Sequence, residues 1–405
     1  MNITFVGNYG GANYGDEVVL AGILKCLENL NIQRKNITVF TSNTRYTVKW
    51  HKVNAIFFTH IFNRKFYKLN PAYIWYALKN TNLIIIGGGT LLEDKNPQAL
   101  VHYLTLFLLG KLLHKRIVLF AIGVENLRTS INKEIVRRVC NLADAIYVRD
   151  KNSALLLQSL RVINSINLTV DPATTIICKE QESIDDSLKK EESNSDQFNL
   201  GISIRECPWN PQFTKNAQQL ITYIIQKIIE EKKKTVVSFF CSETDYRVVH
   251  RMLPILNERK IPYRIIYAPL HAPLTIARLI SKMDLIISMR LHPIITATIN
   301  SIPCIGLAYM DKVENYCKEE NVPYILLDKV RLHELEKYVK HFTQGTWLNK
   351  GKSRTEKDKQ LKDNLKECLK SKEIKLPKLT DLISLFALMI ASSVIALIKL
   401  LRMAR

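Results

Sequence analysis

Residues 3 to 30 read ITFVGNYGGANYGDEVVLAGILKCLENL, and this stretch decides the fold class. A strand-sized apolar run, ITFV, is followed by a glycine-rich loop and then by the apolar periodicity of a helix. Further strand-like runs alternate with helical patterns along the chain, among them RIVLFAI, DAIYV, NLGISI, TVVSFF, YRIIY, DLIIS and PCIGLAY. This alternation predicts an α/β protein whose parallel sheets are covered by helices on both faces.

A polar segment divides the alternation into two halves. Residues 179–197 are charged and nearly free of apolar side chains, which is typical of a linker. The length of 405 residues suits two domains and an appendage. We therefore predict one Rossmann-like, doubly wound domain over residues 1–178 and a second over 198–345. Ligands of such sheets bind beyond the carboxyl ends of the strands, so two facing domains would share a cleft there.

Charge and cysteine usage limit the functional class. The formal net charge of +21 indicates an anionic partner, which could be a phosphorylated small molecule, a membrane surface or a nucleic acid. The eight cysteines are scattered without a C-x-x-C pair, as expected for a reduced protein. The first residues, MNITFVGNYG, lack the basic and then apolar regions of an export signal. These features predict a cytoplasmic location.

The C-terminal part of the chain has a different composition. Residues 346–380 are rich in lysine, and residues 381–405 contain the uncharged run LISLFALMIASSVIALI. This run is slightly shorter than the roughly 20 residues that usually span a bilayer, so one interpretation is a helix packed on a domain. Basic residues flank the run on both sides: Lys375, Lys378, Lys399, Arg402 and Arg405. They favour the other interpretation, a helix that attaches the protein to the cytoplasmic face of a membrane.

Two glycine-rich segments follow predicted strands. The first, GNYGGANYGDE at residues 7–17, matches neither the dinucleotide fingerprint nor the P-loop, and its two acids would repel a phosphate. We predict that Asn13 and Asp16 bind substrate hydroxyls or backbone; the alternative is that Asp16 only caps a helix. The second, IIIGGGTLLED at residues 84–94, has three consecutive glycines, which neither a helix nor a strand requires. We therefore expect close contact with a ligand at Gly88 and Gly89.

Arginines end three predicted strands. YVRDKNS contains Arg149, GISIREC contains Arg205 and DLIISMRLHP contains Arg290, while Asp245 in FFCSETD follows another strand. A guanidinium can bind a carboxylate or a phosphate through two parallel hydrogen bonds. One such arginine usually forms a surface ion pair, but three at strand ends favour an anion site.

The segment SMRLHP carries a fixed cation and a titratable group. Alternation along an extended segment predicts that Arg290 and His292 point to the same side, before a helix whose first turn suits Pro293. Histidine can give and take a proton near neutral pH. Lys312, at the end of the next strand, adds a cation. The sequence contains neither H-E-x-x-H nor G-x-S-x-G, so we expect no metal, no cofactor and no serine nucleophile.

Together these motifs resemble the polysaccharide pyruvyl transferase family over roughly residues 1 to 330. The resemblance is carried, in order, by GNYGGANYGDEVVLAGIL, IIIGGGTLLED, YVRDKNS, VDPA, GISIR and SMRLHP followed by IPCIGLAYMDKV. It implies a GT-B-like fold and the transfer of pyruvate from phosphoenolpyruvate to a sugar. It also implies that Arg290 and His292 form the family's R-x-H motif and that Asp94 is the acid after the glycine run, so we predict these three as catalytic residues. Arg149, Arg205 and Lys312 are then predicted to bind substrate. One departure is Gly123-Val124, where family members often have Gly-Pro.

We therefore predict a transferase that moves pyruvate from phosphoenolpyruvate onto a sugar of a cell-surface polysaccharide, or of its lipid-linked precursor, as a ketal with release of phosphate. One alternative is a nucleotide-sugar glycosyltransferase on the same architecture, which the order of the motifs disfavours. Another is a non-catalytic basic module for membrane or nucleic acid. Such a module would carry its cations in a surface stripe with interleaved aromatic residues, so we expect no nucleic-acid partner.

Overall fold

The computed structural model describes residues 1–59, 68–93, 97–125, 127–178, 197–232, 234–330, 332–343, 354–370 and 374–403. The chain divides into two compact units. The first unit comprises Met1–Gly11, Gly22–Pro172 and Glu356–Arg405, and the second comprises Ala12–Ala21 and Ala173–Thr355. Apart from Gln197, the predicted linker lies outside the described residues.

The first unit contains a seven-stranded parallel sheet. Its strands are β1 (Ile3–Val6), β2 (Ile37–Thr41), β3 (Asn54–Phe57), β4 (Leu83–Glu93), β5 (Arg116–Glu125), β6 (Ala145–Val148) and β7 (Ile166–Leu168). They are arranged in the order β3-β2-β1-β4-β5-β6-β7. The chain first builds outward from β1 to β3 and then returns to place β4 beside β1. This reversal creates a switch point between the carboxyl ends of β1 and β4, where open α/β sheets bind ligands.

Helices cover both faces of this sheet, as expected for strands that are apolar throughout. They are α1 (Tyr14–Glu28), α2 (Thr44–His51), α3 (Pro71–Lys79), α4 (Pro97–Leu112), α5 (Ser130–Leu142) and α6 (Lys151–Ser159). Side chains cap four of them: Asn43, Asn70, Thr129 and Asp150 each accept a hydrogen bond from a backbone N–H of the following first turn. The residues of α1 up to Ala21 belong to the second unit.

The second unit contains a six-stranded parallel sheet. Its strands are β8 (Phe198–Ser203), β9 (Thr235–Cys241), β10 (Tyr263–Tyr267), β11 (Leu285–Ser288), β12 (Cys304–Ala308) and β13 (Tyr324–Leu326), in the order β10-β9-β8-β11-β12-β13. Its further helices are α7 (Pro211–Glu231), α8 (Tyr246–Glu258), α9 (Pro273–Ser281), α10 (Leu291–Ile299), α11 (Asp311–Glu319) and α12 (Leu332–Thr343). The prediction of two doubly wound α/β domains is therefore confirmed.

Two helices follow near the C-terminus. Helix α13 (Arg354–Leu369) lies within the predicted lysine-rich segment, and α14 (Leu379–Met403) contains the uncharged run. Helix α14 packs against α4 and α5, and its Leu382, Leu385 and Met389 are buried in the apolar core of the first unit. One face of this helix is therefore packed on a domain. Among the described residues, no helix is both long and apolar enough to cross a membrane.

A buried ion pair holds the segment that leads into α14. The ammonium of Lys111 lies 2.6 Å from the carboxylate of Asp144, and both side chains are almost fully buried. Asp144 also accepts hydrogen bonds from the backbone N–H groups of Ile117 and Lys375, each at 2.7 Å, and Lys111 donates to the carbonyl of Lys375 at 3.3 Å. Burial lowers the pKa of Lys111. The C-terminal segment is thus hydrogen-bonded to both partners of the ion pair.

Candidate active site

Four neighbouring strands of the second unit are each followed, within a few residues, by a charged side chain. Asp245 follows β9, Arg205 follows β8, Arg290 follows β11 and Lys312 follows β12, and these strands are adjacent in the sheet. Because the strands are parallel, their carboxyl ends lie at one edge of the sheet. The topology therefore brings together three of the cations that the sequence singles out.

The guanidinium of Arg290 is held by the carboxylate of Asp245. Nε donates to one carboxylate oxygen at 2.6 Å and Nη2 donates to the other at 2.8 Å, a bidentate and charge-assisted arrangement. Nη2 also donates to the hydroxyl of Ser242 at 2.9 Å. The Asp245 side chain is fully buried, so its orientation is fixed. Nη1 of Arg290 lies 3.4 Å from Oδ1 of Asn13, which accepts its hydrogen bond.

His292 stands in a helix and not in an extended segment. Helix α10 begins at Leu291 with Arg290 as its N-cap residue, so the alternation that we used to place Arg290 and His292 on one side was wrong. Residues 13–15 bring the two side chains into one site instead. A Cβ atom on Gly15 would lie 2.3 Å from Nδ1 of His292, so glycine at this position lets the first turn of α1 approach the imidazole. Nearby, the hydroxyls of Tyr14 and Thr296 lie 2.6 Å apart and are buried.

The predicted substrate-binding residues of the first glycine-rich segment, Asn13 and Asp16, are hydrogen-bonded to each other. Nδ2 of Asn13 donates to the carboxylate of Asp16 at 2.8 Å, while Oδ1 of Asn13 faces Arg290. Asp16 and Asn13 therefore form a polar chain that ends at the Arg290 guanidinium. Their binding of a substrate stays a prediction.

Two aromatic side chains surround the Arg205 guanidinium. Nη1 of Arg205 donates to the hydroxyl of Tyr309 at 2.7 Å, and the guanidinium carbon lies 5.1 Å from the ring centre of Trp209 and 5.5 Å from that of Tyr309. Such cation–π contacts hold an arginine without neutralising it. Burial lowers the pKa of Arg205, but Tyr309 and Asp245 outweigh it, so that the pKa lies above its ordinary value. Sequence patterns predict neither aromatic neighbour.

Lys312 is the second residue of α11 and is half-buried. Its helix follows β12, which pairs with β11, so Lys312 and Arg290 follow neighbouring strands. Asp94 lies outside the described residues. Within the described ranges, no group of three or more His, Cys, Asp or Glu side chains could hold a metal ion.

The first unit has its own enclosed cation at the carboxyl end of its sheet. The Arg149 side chain is only 6% exposed; its guanidinium donates to Thr90 at 2.8 Å and to Asp171 at 3.3 Å. Asp171 belongs to the VDPA motif, and we did not predict its pairing with Arg149. A Cβ on Gly123 would lie 3.1 Å from the guanidinium, so this glycine also makes room for it. Arg149 connects the ends of β4 and β6 with the segment after β7, and its binding of a substrate stays a prediction.

Contrary to our expectation, the glycine run lies inside β4, and strand pairing explains part of it. Gly87 pairs with Phe120 of β5, and a Cβ on Gly87 would lie 1.7 Å from the Phe120 carbonyl oxygen. Gly88 has a φ of +81°, a conformation that glycine adopts without strain. The close approach of two strands therefore explains Gly87 without a ligand. The role of Gly88 and Gly89 in substrate binding stays a prediction.

Val124, which stands where members of the resembled family often have proline, forms a hydrogen bond through its backbone. The backbone N–H of Val124 donates to the hydroxyl of Ser153 at 2.9 Å, and this hydrogen bond is buried. Proline has no N–H to donate. This chain therefore uses a strand-to-helix hydrogen bond that a Gly-Pro sequence at the same position could not form.

A family model described as polysaccharide pyruvyl transferase matches residues 13–311, which include the Asn13–Asp16 chain, Arg149, Arg205, Asp245, Arg290 and His292. The chain belongs to the polysaccharide pyruvyl transferase family. The match begins at Asn13 and ends one residue before Lys312, so it spans nearly all of the predicted site of this pyruvyl transferase family member. No curated protein of known function is significantly similar to the chain.

Solved structures show that this pyruvyl transferase family member has a GT-B-like fold. The UDP-GlcNAc 2-epimerase of Methanocaldococcus jannaschii is 13% identical, with a TM-score of 0.61 over 91% of this chain and 99% of the epimerase. The epimerase of Neisseria meningitidis, solved with UDP-GlcNAc bound, is 11% identical, with a TM-score of 0.59 over 91% and 99%. The enzyme of Rickettsia bellii is 10% identical, with a TM-score of 0.56 over 91% and 96%. At these identities the likeness shows the fold alone.

Proposed function

We propose that this family member transfers pyruvate from phosphoenolpyruvate to two hydroxyls of one sugar, in a cell-surface polysaccharide or its lipid-linked precursor. The observation that carries the proposal is the Arg290 guanidinium, which is held by Asp245 and contacts Asn13, two residues before the Gly15 that lies beside His292. Phosphoenolpyruvate carries a carboxylate and a phosphate, and arginine is the side chain best suited to both. Family membership supports the reaction class.

The hydrogen bonds of Arg290 determine which of its atoms can meet the donor. Nε and Nη2 are engaged by Asp245 and Ser242, whereas Nη1 contacts Asn13 at 3.4 Å, a long hydrogen bond. We therefore assign the contact with an anionic group of phosphoenolpyruvate to Nη1. Arg205 and Lys312, which follow strands next to β11, provide the further positive charge that the leaving phosphate requires.

The chemistry requires a proton donor beside these cations. In the proposed reaction, protonation of the methylene carbon of phosphoenolpyruvate gives a methyl group and an oxocarbenium-like carbon. One sugar hydroxyl attacks that carbon, the bond to phosphate breaks, and a second hydroxyl closes the ketal. The two hydroxyl protons balance the proton added to carbon and the proton taken up by phosphate. His292 is assigned as the acid and base because an imidazole exchanges protons near neutral pH.

An assay with phosphoenolpyruvate and a glycan acceptor tests the proposal. We expect phosphate release coupled to an acceptor mass gain equal to pyruvic acid less one water. A gain of one sugar mass from a nucleotide sugar, without consumption of phosphoenolpyruvate, would instead identify a glycosyltransferase on the same fold. The absence of both phosphoenolpyruvate consumption and sugar transfer on every acceptor of a broad glycan panel would support the non-catalytic basic module for membrane or nucleic acid.

Replacing Asp245 with asparagine is expected to raise the KM for phosphoenolpyruvate at least about tenfold, with a smaller change in kcat. The amide keeps the shape of the carboxylate but removes the charge that orients both Nε and Nη2 of Arg290. Glu243→Gln is the matched control, because Glu243 is an exposed carboxylate only two residues away. Equal KM values for the two variants would show that Asp245 does not position Arg290 for the donor.

A further inference from the structure

Helix α14 exposes an apolar stripe along its length. The stripe consists of Leu379, Ile383, Phe386, Ile390 and Val394, each about half exposed or more. Their spacing of four, three, four and four residues places them along one side of a helix. We call these five residues the outer stripe. The sequence from Leu382 to Ile395 contains no charged residue.

The preceding helix shows what a solvated face looks like in this protein. The exposed residues of α13 include Glu356, Lys359, Asp363 and Lys366, all of them charged. Single exposed apolar side chains are normal on protein surfaces, but contiguous apolar patches mark sites of interaction. The outer stripe is contiguous over four helical turns, so solvent exposure is not its functional state.

We propose that the outer stripe docks α14 lengthwise on an anionic lipid bilayer. We assign the occupant from charge. Lys375 and Lys378 are exposed just before the helix, whose first turn has one acid, Asp381, and the sequence continues with Lys399 and Arg402. An apolar stripe flanked by basic residues suits the boundary between acyl chains and anionic headgroups. The formal net charge of +21 also favours binding to an anionic membrane surface.

The packing of the inner face determines how the helix meets the bilayer. Leu382, Leu385 and Met389 belong to the core of the first unit, and the hydroxyl of Ser392 donates to Asn132 of α5 at 2.6 Å in a buried hydrogen bond. A helix that left the unit to enter the bilayer would lose these contacts. We therefore place α14 at the membrane surface with its inner face still packed on α4 and α5.

A second group of exposed side chains belongs to the same helical layer. Right-handed crossovers place α3, α4 and α5 on one face of the sheet. Helix α3 of this layer exposes Tyr73, Trp75 and Tyr76. Tyrosine and tryptophan are enriched where proteins meet the headgroup region of a membrane. The layer that carries α14 therefore also carries side chains suited to that region.

The direction of α14 relates the outer stripe to the candidate site of the first unit. Ser384 meets Arg138 near the end of α5, and Ser392 meets Asn132 near its beginning, so α14 runs antiparallel to α5. Since α5 begins beyond the carboxyl end of β5, the C-terminal half of α14 lies at the sheet end that holds Arg149. This step rests on the proposed function: the arrangement would present that end to acceptors attached to membrane lipids.

Vesicle sedimentation of the full chain tests the docking. Vesicles of phosphatidylcholine with phosphatidylglycerol should bind the protein, and pure phosphatidylcholine vesicles should bind it less. Ile390→Glu should weaken the partition of the protein onto vesicles at least about tenfold, and Phe386→Glu combined with Ile390→Glu about a hundredfold. Each change places a charge where the docked helix would bury apolar area in the bilayer. The matched control is Val48→Glu on α2: Val48 is 50% exposed and Ile390 is 49% exposed, and α2 lies on the opposite face of the sheet.

Two outcomes would overturn the proposal. The first is a wild-type protein that sediments equally with and without anionic vesicles. The second is equal binding by the Ile390→Glu and Val48→Glu proteins. A wild-type dimer that Ile390→Glu converts to a monomer, in the absence of vesicle binding, would assign the outer stripe to a second copy of the chain instead. Vesicle binding is measured without phosphoenolpyruvate, so a negative result here is distinct from failure of the transferase assay.

Discussion

Replacing His292 with alanine should lower turnover with phosphoenolpyruvate by about a hundredfold or more, the usual loss when a positioned acid or base is removed. Donor KM should change little, because the contact between Arg290 and Asp245 does not involve the imidazole. Steady-state kinetics on purified protein, with circular dichroism as the folding check, measures both quantities. His292→Gln should behave in the same way, since an amide occupies the space beside Gly15 but cannot transfer a proton.

His250→Ala is the control for this experiment. His250 is an exposed histidine of the same unit, on α8, and its ring contacts only the neighbouring Tyr246 among the aromatic contacts of the described residues. Its loss should leave turnover close to that of the wild type. A folded His292→Ala protein with near-normal turnover would remove the histidine from the mechanism, even if the transfer of pyruvate itself were demonstrated.

Asp144→Asn is expected to destabilise the first unit by about 3–5 kcal/mol, the usual result of removing one partner from a buried ion pair. The substitution leaves the Lys111 ammonium buried without its counter-charge and weakens the hydrogen bond to the Lys375 backbone. Hydrogen–deuterium exchange followed by mass spectrometry resolves the effect by segment. We expect faster exchange in α4 and α14, with no comparable change in the second unit.

The matched control is Asp358→Asn on α13, which removes a carboxylate from an ion pair with Lys362 at 2.8 Å. Both side chains of that pair are about one-third exposed, so its loss should cost no more than about 1 kcal/mol. Combining Asp144→Asn with Lys111→Met should recover part of the loss, because no buried charge remains. Equal exchange in the Asp144→Asn and Asp358→Asn proteins would contradict the structural role of the ion pair.

The sequence predicts the strands and their class well, because buried parallel strands leave a clear apolar signal. The same signal places Arg149, Arg205 and Arg290 at strand ends. It could not predict which side chain holds each arginine. Asp245 lies 45 positions before Arg290, and only the order of β9, β8 and β11 in the sheet brings the two together.

Contacts between distant segments account for the remaining differences. Gly15 and His292 are far apart in the chain, and the need for glycine at position 15 appears only when the imidazole is in place. The start of α10 at Leu291 overrides the extended pattern that SMRLHP suggests. The glycine run looks like a loop in sequence but continues β4, because the Phe120 backbone of β5 comes too close for a side chain.

The assignment of α14 to the first unit has a consequence for synthesis on the ribosome. The strands of the first unit are complete at Leu168, but the helix that covers part of α4 and α5 begins only at Leu379. At about 5–20 residues per second, translation takes roughly 10 to 40 s to pass from one to the other. During that interval, the apolar surface that later receives Leu382, Leu385 and Met389 remains uncovered, and every residue of the second unit is made before α14 begins. The domain that is synthesised first is therefore the last to be completed, and its nascent form is the one in which a chaperone would find exposed apolar surface.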